Sequence, residues 1–175
     1  ADHQASRLAV AKAKYRKILD ADPTHAGGLH FLGVLAHQAG QPEVAVDLIE
    51  RALEKAPEDV EARSNFGNAL IAMGRIAEAL EAYEAAVAED PDYVEARINL
   101  GNALQSQARH VEAVACYREA LKRRPDFAPT HNNLAGALLA LGRIGEAVDA
   151  ARTAISHAPE YAEAHNLLSK ALLAA

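Results

Sequence analysis

The chain of 175 residues has no tryptophan, 3 phenylalanines, 5 tyrosines, one methionine and one cysteine. So thin an aromatic share leaves packing to alanine and leucine, which favour helix over strand. The lone Cys116 excludes an internal disulfide. No apolar run approaches the roughly 18 residues that a bilayer span requires, so a membrane partner is not expected. Positive charge is also scarce, with 18 Lys and Arg against 24 Asp and Glu and a net charge of −6. Nucleic-acid binding draws on a basic footprint, and that partner is not expected either. HExxH, CxxC, GxSxG and the Gly-rich phosphate loop are all missing. Neither metal, cofactor nor catalytic constellation is therefore expected, and the chain reads as a non-enzyme.

What is present is a period. Pro23, Pro57, Pro91, Pro125 and Pro159 follow one another at intervals of 34 residues, and only Pro42 and Pro129 fall outside the series. Self-similarity at such a spacing means one supersecondary unit repeated. With these prolines numbered position 32, small residues recur at position 8 (Gly33, Gly67, Gly101, Ala135, Ser169) and position 20 (Ala11, Ala45, Ala79, Ala113, Ala147). Position 27 is alanine in the four full repeats (Ala52, Ala86, Ala120, Ala154). Large residues hold position 7 (Leu32, Phe66, Leu100, Leu134, Leu168) and position 24 (Tyr15, Ile49, Tyr83, Tyr117), where Ala151 departs from the pattern. Small beside large at fixed spacing is what close helix–helix approach demands.

A 34-residue helix–turn–helix period with these positions resembles the tetratricopeptide repeat family over nearly the whole chain. The expected fold is all-α, a right-handed solenoid of antiparallel helix pairs. Residues 6–25 read as a half repeat holding a second helix only, over 6–21, with Leu8, Tyr15, Ile18 and Leu19 on its apolar face. Residues 1–5 precede it as a frayed end. Full repeats span 26–59, 60–93, 94–127 and 128–161, and 162–175 is a half repeat holding a first helix only. First helices are expected to end at Gly40, Gly74, Ala108 and Gly142, where a left-handed residue is cheapest without a Cβ. Asp59, Asp92 and Asp126 favour the N-terminal dipole of the next helix. Leu167, Leu168, Leu172 and Leu173 have no following helix to cover them. That pattern suggests a piece of a longer protein, or a self-associating end and hence a homo-oligomer.

The resemblance implies that first helices line a concave groove through positions 2, 5, 6, 9, 12 and 13. The lining then includes His30 and His37; Asn65 and Asn68; Asn99, Asn102 and Gln105; Asn132, Asn133 and Gly136; and Glu163, Asn166, Leu167 and Lys170. The candidate binding residues are Asn65, Asn68, Asn99, Asn102, Asn132, Asn133, Asn166, His30, His37 and Gln105. Position 6 carries asparagine three times running, at Asn65, Asn99 and Asn133. A carboxamide donates and accepts, so it can pair with a peptide bond irrespective of the side chains that bond carries. At about 0.5–1.5 kcal/mol per net bond, three such residues contribute roughly 10 to 10³ in affinity. Five groove asparagines are not explained by helix propensity. The alternative, that they satisfy groups within the fold itself, stays open.

The segments Asn-Leu-Gly-Asn-Ala-Leu (99–104) and His-Asn-Asn-Leu-Ala (131–135) are similar to the repeats preceding the catalytic region of O-GlcNAc transferases and their bacterial relatives. That resemblance implies an asparagine ladder holding an extended peptide, and as an alternative the substrate-selecting arm of a larger glycosyltransferase-like enzyme. The carboxylate clamp of chaperone-binding relatives is not supported, since Glu61, Ser64, Glu95, Asn99, Pro129 and Asn133 stand where it needs bases. Acids on the second helix near 78–90 and bases Arg118, Lys122, Arg123 and Arg124 are expected to neutralise one another on a solvated face. His131 and His165, both at position 4, are expected to pack between repeats.

Overall fold

The period resolves into paired helices in the computed structural model, which describes residues 2–175, with side chains from Val10 onward. Among the described residues there are ten helices and no strand. Five lie in the N-terminal half, Ala1–Asp90: α1 (Asp2–Ala21), α2 (Ala26–Gln38), α3 (Pro42–Lys55), α4 (Val60–Ala72) and α5 (Ile76–Glu89). Five lie in the C-terminal half, Pro91–Ala175: α6 (Val94–Ser106), α7 (His110–Arg123), α8 (Ala128–Ala140), α9 (Ile144–His157) and α10 (Ala162–Leu173). In the first half α2 packs on α1 and α3, and α4 on α3 and α5, while α2 and α4 also meet directly. In the second half α6 pairs with α7, α8 packs on α7 and α9, and α10 on α9; α8 touches both α6 and α10. Each half is thus two-layered, with the even-numbered first helices in one layer and the odd-numbered second helices in the other.

The first helix begins earlier than expected. Asp2 to Ser6 contain neither proline nor glycine, so nothing stops the helical ladder from propagating to Asp2. Ala1 and the side chain of Leu8 lie outside the described residues. Of the other apolar-face residues, Tyr15 and Leu19 are half-buried, whereas Ile18 is exposed. Tyr15 stacks on Phe31 of α2, ring centroids 4.8 Å apart.

Four first helices end in one turn. The N–H groups of Gly40 and Gln41 return to the carbonyls of His37 and Ala36, at 3.0 and 2.9 Å, and equivalent pairs close α4, α6 and α8. The turn places its pivotal residue in the left-handed region. Gly40, Gly74 and Gly142 have φ of 71°, 73° and 70°, and Ala108 adopts 57° despite its Cβ. At the helix starts, Asp59 caps α4 by accepting from Ala62 N at 2.9 Å, and His25 Nδ1 does the same for α2 from Gly28 N at 3.0 Å. Asp92 and Asp126 stand one residue before the caps of α6 and α8, which are Tyr93 and Phe127 with no side-chain cap bond.

The core explains the alternation of small and large residues. A Cβ added at Gly67 would lie 2.5 Å from the Tyr83 ring, one at Gly101 2.6 Å from Tyr117, and one at Gly33 2.4 Å from Ile49. Position 8 is therefore glycine because position 24 of the paired helix fills its space. In the fourth pair both sites are alanine, Ala135 and Ala151, and both are fully buried. The departure at Ala151 and the missing glycine at 135 are one compensated change.

Candidate functional site

The two buried tyrosines also reach the first-helix face. The Tyr83 hydroxyl donates to Asn68 Oδ1 at 2.7 Å. The Tyr117 hydroxyl donates to Asn102 Oδ1 at 2.8 Å and lies 3.0 Å from Gln105 Oε1, sharing its single proton between two acceptors. Burial pushes both phenols far above their ordinary value, so they remain neutral donors. Asparagine at position 9 is thus a consequence of tyrosine at position 24. Where the tyrosine is replaced by Ile49 or Ala151, position 9 is Val34 or Gly136.

Side chains of successive first helices are linked as well. In the N-terminal half Asn65 Nδ2 lies 3.0 Å from His30 Nε2, and Asn68 Nδ2 donates to Asn65 Oδ1 at 3.4 Å. His30 is 3% exposed and its Nδ1 is 3.6 Å from Asp59 Oδ2. It stands behind the lining rather than in it, because its two ring nitrogens are engaged by α4 and its cap. In the C-terminal half Asn133 Nδ2 donates to Asn102 Oδ1 at 2.9 Å. Asn99 is half-buried on α6, and Asn166 is exposed on α10. His37 is half-buried on α2, its Nδ1 without a hydrogen-bond partner.

Four of the sequence-selected residues come together in one place. Gln105, Asn132, Asn133 and Asn166 line a cleft of about 340 Å³ across α6, α8 and α10, with Gly136, Glu163, Leu167 and Lys170. That volume is at the lower end of the roughly 300–1,000 Å³ of small-ligand clefts. Gln105 Oε1 faces the Tyr117 hydroxyl, which leaves Nε2 towards the cleft, 3.4 Å from where a Gly136 Cβ would stand. Asn132 Oδ1 is buried there without a hydrogen-bond partner. The Gln105 Nε2 donor therefore stands at a gap in the side-chain layer, with the Asn133 amide in the same lining. His30, His37, Asn65, Asn68, Asn99 and Asn102 are not part of this cleft.

Position 4 has a role beyond packing. Arg97 Nη2 donates to Pro91 O at 2.9 Å, and Nε2 of His131 and of His165 lies 2.7 Å from Pro125 O and Pro159 O. Arg63 makes the same bond to Pro57 O. Each ties a first helix to the proline turn before it. His131 in addition stacks on His157, ring centroids 5.7 Å apart.

Within each half the charged side chains pair locally. Arg118 pairs with Glu146, Lys122 with Glu119, Arg123 with Asp92 and Arg124 with Glu95, all within the C-terminal half. On α5, Glu78 pairs with Arg75, and Glu89 with Arg63 of α4. Among the described residues no group of three or more His, Cys, Asp or Glu is placed to hold a metal ion. No helix among them is long and apolar enough to cross a membrane.

Tetratricopeptide repeat models match residues 64–129 and, in a second model, 36–82 and 104–171. Among curated proteins none matches the chain. Among solved structures it is similar to MamA, with a TM-score of 0.80 and 24% identity over 92% of this chain and 94% of that one. MamA from Desulfovibrio magneticus RS-1 superposes with a TM-score of 0.79 at 18% identity, covering 85% of this chain and 84% of that one. YrrB, a TPR protein with an unusual peptide-binding site, gives 0.77 at 22% identity over 94% and 84%. At these identities the likeness is one of fold.

Proposed function

We propose that this chain, which belongs to the tetratricopeptide repeat family, is a non-catalytic scaffold that holds extended peptide segments on its first-helix face through asparagine and glutamine side chains. The observation that carries the reading is the cleft in the C-terminal half, where the Gln105 Nε2 donor and the Asn133 amide line one opening. A peptide group offers the complementary acceptor and donor, and an extended strand presents them without regard to its side chains. The asparagines have capacity to spare. Asn133 uses one N–H on Asn102, which leaves its second N–H and its oxygen. Asn68 and Asn102 have their oxygens engaged by tyrosine, so their contribution is through N–H groups.

The test is capture from a displayed random-peptide library. The wild-type chain should enrich peptides, and the triple variant Asn65→Ala, Asn99→Ala, Asn133→Ala should lose that enrichment with its helical circular dichroism unchanged. Equal enrichment by both proteins would reject the asparagine ladder.

A second reading has its own observation. Leu172 and Leu173 of α10 are 51% and 90% exposed, which suits association with a second copy. Light scattering showing a monomer at every concentration would dismiss it.

A further inference from the structure

The cleft lined by Gln105, Asn132, Gly136 and Leu167 exists because one repeat lacks what the two before it have. Tyr83 and Tyr117 each reach the first-helix layer and hold an asparagine at position 9. In the fourth pair the tyrosine is Ala151 and the asparagine is Gly136. The buried alanines 135 and 151 close the core beneath, but nothing replaces the side chain at position 9. Gly136 therefore leaves bare backbone at the surface of α8, with Gln105 of α6 and Leu167 of α10 on either side. A Cβ there would be 3.4 Å from Gln105 Nε2 and 3.9 Å from Leu167 Cδ2, in ordinary van der Waals contact, so a larger side chain at 136 would project into the cleft.

We infer that this cleft seats one apolar side chain of an extended peptide and that the peptide carries a carboxylate on the side facing Lys170; the inference rests on the peptide-binding reading above. Leu167 and the Gly136 backbone supply the apolar contact. Gln105 Nε2 and Asn133 Oδ1 take the carbonyl and N–H of the peptide group beside it. Direction comes from charge. Glu163 and Lys170 both line the cleft from α10, seven residues apart. Two helical turns separate them by about 10 Å, so opposite signs stand at the two ends of the opening. Neither forms an ion pair with another described residue. An acid on the ligand is drawn to the Lys170 end and repelled from the Glu163 end.

The experiment measures binding of N-acetylated, C-amidated heptapeptides by fluorescence anisotropy. The central residue is leucine or glutamine, and a glutamate is moved through the flanking positions. The wild-type chain should prefer central leucine by about tenfold, the difference made by burying a few methylene groups, and should favour glutamate on one flank only. Gly136→Leu, which fills the cleft from within, should abolish the leucine preference at an unchanged melting temperature. Lys170→Glu, at an exposed site, should abolish the glutamate preference, since both ends of the opening are then acidic, and it reads the same cleft should Gly136→Leu lose helicity. Binding without a leucine preference, or a preference that survives Gly136→Leu, would overturn this inference while leaving the groove reading intact. Failure of the wild-type chain to bind any heptapeptide would overturn both.

Discussion

The Tyr117 ring occupies the volume that a Cβ on Gly101 would need, 2.6 Å from its Cε1. The two residues are one packing unit with a fixed total size. Gly101→Ala is expected to destabilise the C-terminal half by about 1–3 kcal/mol through overpacking. Tyr117→Ala should cost about 3–5 kcal/mol, as for other large aromatic truncations. The double variant recreates the Ala135–Ala151 pair and should be less destabilised than the sum of the two. Strict additivity in urea unfolding would show that the two sites do not share a space.

Ala108 sits at φ 57°, where three equivalent turns use glycine. A Cβ in the left-handed region costs roughly 1–2 kcal/mol. Ala108→Gly should therefore raise the stability by about 1 kcal/mol or somewhat less, the unfolded glycine offsetting part of the gain. Gly74→Ala and Gly142→Ala should lower it by a similar amount. A destabilised Ala108→Gly in thermal unfolding would contradict the turn assignment.

Position 4 accepts either arginine or histidine because both can donate to the proline carbonyl six residues back. His131→Arg should be close to neutral, whereas His131→Leu should lose about 0.5–1.5 kcal/mol with the hydrogen bond. If leucine and arginine at 131 gave the same chemical-denaturation midpoint, the bond would contribute nothing.

Glu146 receives two guanidinium groups, Arg143 at 2.7 Å and Arg118 at 2.6 Å. The hydrogen bond from Arg143 is the main cause, with Arg118 adding to it, that holds its carboxyl below the ordinary glutamate value. A carboxyl depressed in the folded state contributes stability that is complete above its unfolded value and lost as pH falls through the folded one. Glu146→Gln should therefore unfold more readily than wild type at neutral pH, and the gap should close in acid below the glutamate range. The site is exposed, so salt should shrink the gap as well. A difference that persists unchanged into acid would mean the carboxylate charge is not its source.

The proline interval and the small–large alternation expose the fold in the sequence, since both record steric demands repeated at one spacing. First-helix termini were legible at Ala108 as well as at the three glycines, because the period overrides the local preference. The site was legible only in outline. Gln105, Asn132, Asn133 and Asn166 could be placed on one face by counting. That Asn68 and Asn102 are bonded to tyrosines fifteen residues on could not, although the recurrence of Tyr83 and Tyr117 at that offset was a usable signal. His30 shows the limit of counting: a groove position by register, it is buried because Asn65 of the next repeat and Asp59, the cap of α4, close over it.

The hydrogen bond from Tyr117 to Asn102 has a consequence for recognition. A free asparagine side chain samples several rotamers, and fixing one on binding costs conformational entropy, of order 0.5–1.5 kcal/mol for a mobile interface residue. Asn102 is already fixed by a phenol anchored in the core and is braced a second time by Asn133. Its two N–H groups are therefore oriented before any partner arrives. A ligand carbonyl meeting it encounters a donor whose disorder was removed when the chain folded.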